Sequence, residues 1–147
     1  MFKAAILDMT FTNTGTNAII LNLYEVVTRT DCSGTPNIQW KAGLDRQTGS
    51  SGIDLTYYGV TPFDAPYFGS YFLITRKRRV FLNPGSTNTF QIRFPKDVKL
   101  DLDRFNVSSA PSNYSAKGLT RGLIWTVYSN QFVRNSTDTA YIPAPVS

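Results

Sequence analysis

The sequence predicts an all-β domain, an antiparallel β-sandwich or barrel with long connections between its strands, and three observations carry that expectation. Apolar and polar residues alternate with a period of two, first at Ala5, Leu7, Met9 and Phe11 against Ile6, Asp8, Thr10 and Thr12, as a half-buried strand requires. Rings are abundant, with 10 Phe, 8 Tyr and 2 Trp, and rings pack well on pleated surfaces. No stretch longer than about eight residues keeps a clean helical period, and no repeat recurs at a fixed spacing.

At 147 residues the chain has the length of one domain with a single core, so 1–147 is read as one unit. The first strand ends near Asn13, and Thr14-Gly15-Thr16-Asn17 supplies turn residues. A β-branched and aromatic run from Ala18 to Thr30 follows and is expected to pair with the first strand as an antiparallel hairpin. Between Asp31 and Thr61 the composition shifts to Gly, Ser, Thr, Pro and Asp. A structureless connection of that length is rare in a domain, so a short helix is expected around Trp40 to Gln47, together with a role in assembly.

Thr61 followed by Pro62 has the form of a helix N-cap with proline at the first helical position, predicting one helical turn over Pro62 to Phe68. The strongest strand runs from Ser70 to Asn83 and ends at Pro84-Gly85, a tight-turn pair. Its expected hairpin partner is Ser86 to Phe94, with Phe90, Ile92 and Phe94 on one face and Gln91 and Arg93 on the other. Lys96 to Ser115 reads as loop, in which the alternation of Val98, Leu100 and Leu102 has the pattern of a short edge strand. Thr120 to Phe132 is another strand, and Thr139 to Ile142 begins a last one that runs into Pro143 and Pro145.

The chemistry-bearing residues argue against an enzyme. There is no histidine, so the usual general base and the commonest metal ligand are both missing. The single cysteine, Cys32, permits no intrachain disulfide and lacks an imidazole to activate it as a nucleophile. Asp97, Asp101 and Asp103 miss the spacing of a calcium loop, and beside Lys96, Lys99 and Arg104 they read as ordinary surface. No cofactor and no metal are expected. The triplets at Asn106, Asn113 and Asn135 fit the glycosylation pattern, but no secretion signal precedes them and no segment is apolar enough to span a bilayer.

The net charge of +5 favours a polyanionic partner. Its sharpest concentration is Arg76-Lys77-Arg78-Arg79. Inside a strand, Arg76 and Arg78 point one way and Lys77 and Arg79 the other. One pair is then placed to contact nucleic-acid phosphates without reading sequence, unless the charges serve only to blunt edge-to-edge aggregation. Phe72 and Phe81 flank the run and are either core or stacking platforms for unpaired bases.

Read together, Leu23-Tyr24-Glu25-Val26-Val27-Thr28-Arg29, then Gly59-Val60-Thr61-Pro62-Phe63-Asp64-Ala65-Pro66, then Phe72 through the basic run to Leu82-Asn83-Pro84-Gly85 carry a resemblance. Lys117-Gly118-Leu119-Thr120-Arg121-Gly122-Leu123 ahead of a hydrophobic strand adds to it. In this order, over roughly residues 20 to 130, they resemble the capsid proteins of circular single-stranded DNA viruses that encode a replication initiator, a group that includes the circoviruses. The resemblance implies a single jelly roll, self-assembly with copies of itself into an icosahedral shell, and enclosure of a single-stranded DNA genome. It places the protein in the virion, and in the host nucleus during assembly, with no membrane partner.

It also implies that Arg76, Arg78 and Arg79 hold the basic positions before the Pro-Gly turn, and that Thr61, Pro62 and Phe63 belong to the long connection's motif. Such capsids begin with an arginine-rich arm that is not seen before Phe2, and a further strand is expected beyond Ser147. An incomplete chain is therefore expected. Two rival readings are a carbohydrate-binding sandwich, with Trp40, Tyr57 and Tyr58 as sugar platforms, and a glycosidase using two of the loop aspartates.

Overall fold

The computed structural model describes residues 5–48, 60–93, 114–134 and 141–145. In chain order these form β1 (Ile6–Thr12), β2 (Ile19–Thr28), β3 (Cys32–Ser33), α1 (Pro36–Thr48), a 3₁₀ turn (Pro62–Asp64), α2 (Phe68–Tyr71), β4 (Phe72–Leu82), β5 (Thr87–Arg93), β6 (Tyr114–Ser115), β7 (Arg121–Arg134) and β8 (Tyr141–Pro145). The protein is all-β with few helices, and every strand pair is antiparallel.

The sheets follow from the composition of β2. Its sequence Ile-Ile-Leu-Asn-Leu-Tyr-Glu-Val-Val-Thr is apolar on both faces, so covering only one of them would leave the other in water. It therefore sits inside a four-stranded sheet of order β4-β2-β7-β8, with a layer on each side. Leu21 and Leu23 pack with Leu82 and Phe90, supported by Phe11, Val80, Leu123 and Val127, where β1 and β5 pair as a second sheet. Tyr24 and Val26 point the other way, into a cluster with Trp40 of α1, Ala65, Phe68, Phe72 and Ile124. The long connections thus form a cover on the outer face of the main sheet.

Two expected hairpins are not formed. β1 pairs with β5 rather than β2, and β4 pairs with β2 rather than β5. The strands and turns lie where the sequence places them, but each turn is a corner where the chain passes from one sheet to the other. Asn13 ties the two corners together. Its side-chain amide donates to the carbonyls of Asn17 (2.8 Å) and Leu82 (2.9 Å), and its Oδ1 accepts from Gly15 N–H at 3.0 Å. Its backbone donates to Ser86 and accepts from Gly85, which takes a φ of 73° that favours glycine.

The helical elements lie close to expectation. α1 covers the expected Trp40–Gln47 and begins four residues earlier, at Pro36. Gly43 lets α1 approach, since a Cβ there would stand 2.8 Å from the Pro66 carbonyl oxygen. The expected turn at Pro62 is a 3₁₀ turn with Thr61 as N-cap, and Asp64 accepts from Thr61 N–H (2.7 Å) and hydroxyl (2.8 Å). β8 extends through both prolines at the sheet edge, where a missing N–H is tolerated. The segment 98–102, the three aspartates, Tyr57, Tyr58, Phe94, Asn113 and the Asn106 and Asn135 triplets lie outside the described residues.

Replacing Asn13 with Ala would strip partners from buried backbone groups at both corners, and destabilisation of about 1–3 kcal/mol is expected. Urea denaturation measures it, and an unchanged midpoint would show that the corners hold without the side chain.

Candidate functional site

A β-bulge sets the geometry of the basic run. Along β4 the partners of β2 are regular from Leu82 to Arg76, then skip Thr75, so that Glu25 faces Arg76 and Val26 faces Ile74. The Thr75 hydroxyl donates to the Glu25 carbonyl at 3.2 Å, which fixes the extra residue. The bulge exchanges the faces of the strand: Phe72 and Ile74 lie in the helix-side cluster, whereas Val80 and Leu82 lie in the layer shared with β1 and β5. Arg76 and Arg78 fall just beyond the bulge, on the face shared with Glu25.

The expected split of the four basic residues is present. Arg76 and Arg78 place Nη1 and Nη2 at 3.7 and 3.5 Å from Glu25 Oε1, and the Arg78 guanidinium lies 5.8 Å from the Phe90 ring centre. On the opposite face, Lys77 Nζ lies 5.7 Å from the Tyr24 ring centre, and Arg79 Nε donates to Asn22 Oδ1 at 2.9 Å. Asn22 in turn donates to Thr126 Oγ1 at 3.3 Å, so a polar chain crosses three strands. The run is therefore two half-sites rather than one patch.

The structure brings Arg76 together with residues that the sequence reading did not single out as site residues. A cleft of about 460 Å³ is lined by Glu25, Thr75, Arg76, Gln91, Arg93 and Arg121, drawn from β2, β4, β5 and β7. Arg93 and Arg121 each sit at one end of a strand, 28 residues apart, and only the sheet pairing brings them near Arg76. Arg93 Nε donates to Gln91 Oε1 at 2.9 Å, and Gln91 donates to Asp8 Oδ1 at 3.0 Å. The Nε of Arg121 is shielded from solvent and has no hydrogen-bond partner among the described residues.

Other candidates take ordinary places. Phe72 is core at 1% exposure and Phe81 is exposed at 66%, so only Phe81 is open to stacking. Trp40, expected as a sugar platform on the carbohydrate reading, is 1% exposed and packs beneath α1 in the helix-side cluster, which removes it from that role. Cys32 is buried as well, and burial, aided by the Asp31 carboxylate, pushes its thiol above the usual range. Burial raises the Tyr24 phenol too. Among the described residues no group of His, Cys, Asp and Glu is placed to hold a metal ion, and no helix is long and apolar enough to cross a membrane.

No protein-family model, curated protein or solved structure matches this chain.

Glu25 is the carboxylate paired with both Arg76 and Arg78. Glu25→Gln is expected to destabilise by about 1–2 kcal/mol at low salt, less than for a fully buried pair, with the loss shrinking as salt screens the arginines. A loss of stability independent of salt in chemical denaturation would assign Glu25 a packing role instead. For Cys32, the raised pKa keeps the thiol protonated at neutral pH, so maleimide labelling is expected to be far slower than for free cysteine. The rate should climb as pH passes above the ordinary thiol value. The shift stabilises the fold fully below the unfolded thiol's pKa, and that contribution is lost as pH rises through the folded one. Labelling at neutral pH as fast as free cysteine would contradict the burial.

Proposed function

We propose that this chain is a shell-forming viral capsid subunit built on a jelly roll, assembling with copies of itself around single-stranded DNA. The observation that carries the jelly-roll part of the reading is the strand connectivity. A jelly roll is an antiparallel ribbon of eight strands rolled into two sheets, in which strand three pairs with six, and four lies between five and seven. Pairing of β1 with β5, and placement of β2 between β4 and β7, follow that order over five strands. β8 departs from it by lying beside β7, at the place of the ribbon's second strand.

Two further features favour the reading. Phe63, Tyr67, Phe81, Leu73 and Trp125 are each at least half exposed, and contacts with further subunits would cover apolar side chains of this kind. The ordered motifs from Leu23 to Leu123 resemble those of single-stranded DNA virus capsids, and the basic side chains of β4 suit phosphate contacts that carry no sequence information.

Purified protein is expected to form large particles of uniform size in sedimentation velocity and electron microscopy, with particle yield reduced by Phe81→Ser on the exposed face of β4. Monomers at every concentration and ionic strength would sink the reading. Particles unaffected by the substitution would place the contacts elsewhere.

A further inference from the structure

We infer that the cleft between the two sheets, lined by Arg76, Arg93 and Arg121 with Thr75, Gln91 and Glu25, is a binding site for a phosphate group. The charge arithmetic comes first. Three guanidiniums line the cleft against one carboxylate, and that carboxylate is shared with Arg78. Glu25 stands 3.7 Å from Arg76 and 3.5 Å from Arg78, beyond the length of a strong charge-assisted hydrogen bond, so it offsets the field without saturating the donors. An anion in the cleft would restore the balance.

Donor geometry narrows the ligand. A guanidinium presents a planar fork of N–H groups matched to carboxylate or phosphate oxygens, and three arginines lining one cleft from different strands suit a tetrahedral anion better than a planar one. Arg121 reaches the cleft from β7, and its Nε is already shielded from solvent, so any anion contact falls to the terminal nitrogens of its guanidinium. The hydrogen bond from Arg93 to Gln91, itself anchored on Asp8, holds one guanidinium in orientation before any ligand arrives.

A cleft of about 460 Å³ falls within the usual range of small-ligand pockets, so it admits a phosphate together with the sugar to which it is esterified. The same chemistry is offered by free phosphate and by a nucleic-acid backbone. This inference does not depend on the shell reading, because the cleft lies within one chain.

The test is calorimetric titration of the protein with inorganic phosphate in one arm and with a single-stranded oligothymidylate in the other. Arg121→Gln is expected to weaken binding by about 10–100-fold, from the loss of a charge-assisted contact. Lys117→Gln, an exposed lysine outside the cleft, should leave it unchanged. If Arg121→Gln fails to fold by circular dichroism, Arg93→Gln at the end of β5 carries the comparison. Weakening in both arms identifies a backbone phosphate, and weakening with inorganic phosphate alone identifies the free anion. No binding in either arm, or binding unchanged in the folded cleft variant, overturns the inference.

Discussion

The fold depends on the two-sided burial of β2. Leu21 and Leu23 on one face and Tyr24 and Val26 on the other are each no more than 2% exposed. Burying an aliphatic side chain of this size is worth about 1.5–3 kcal/mol, so neither face can be left to solvent. One face takes the β1 and β5 layer and the other takes α1 with the 62–71 segment. The long connections are therefore part of the core, since without Trp40, Ala65 and Phe68 the Tyr24 face would be open.

The Thr75 bulge is the second constraint, and it depends on the first. β4 must supply Phe72 and Ile74 to the helix side and Val80 and Leu82 to the sandwich side. All four positions are even-numbered, so an unbroken strand would place them on one face. A single extra residue resolves the conflict, and Arg76 and Arg78 occupy the stretch just past the switch, where the apolar layer gives way to a polar end. The position of the charges follows from the packing on either side of them.

Most elements were legible in the sequence, because alternation reports which residues share a face. It does not report which strand lies alongside, and that is why the hairpins expected at Asn13 and at Pro84-Gly85 are corners between sheets. The double-sided apolar character of β2 was the available signal against a simple hairpin with β1. For the site, the period gave the split of Arg76 and Arg78 from Lys77 and Arg79 correctly. Arg93 and Arg121 could not be joined to it, since nothing in a local pattern relates residues 28 positions apart at the ends of different strands. Trp40 illustrates the same limit from the other side: the carbohydrate reading needs it exposed, and local pattern does not report that its connection folds back over the sheet.

Edge protection is the simplest account of the basic residues of β4. β4 is an edge of its sheet, and charged side chains on an edge do discourage pairing with another chain. Solvated lysines alone would suffice for that purpose. Here Arg79 is locked to Asn22 and Arg78 lies over Phe90, geometries that cost side-chain entropy. Arg76 and Arg78 also share one carboxylate, and like charges a few ångströms apart near a protein surface repel by roughly 1–4 kcal/mol. Arginines held beside one another with a single counter-charge carry a repulsion that an anion would lower and that solubility by itself does not require.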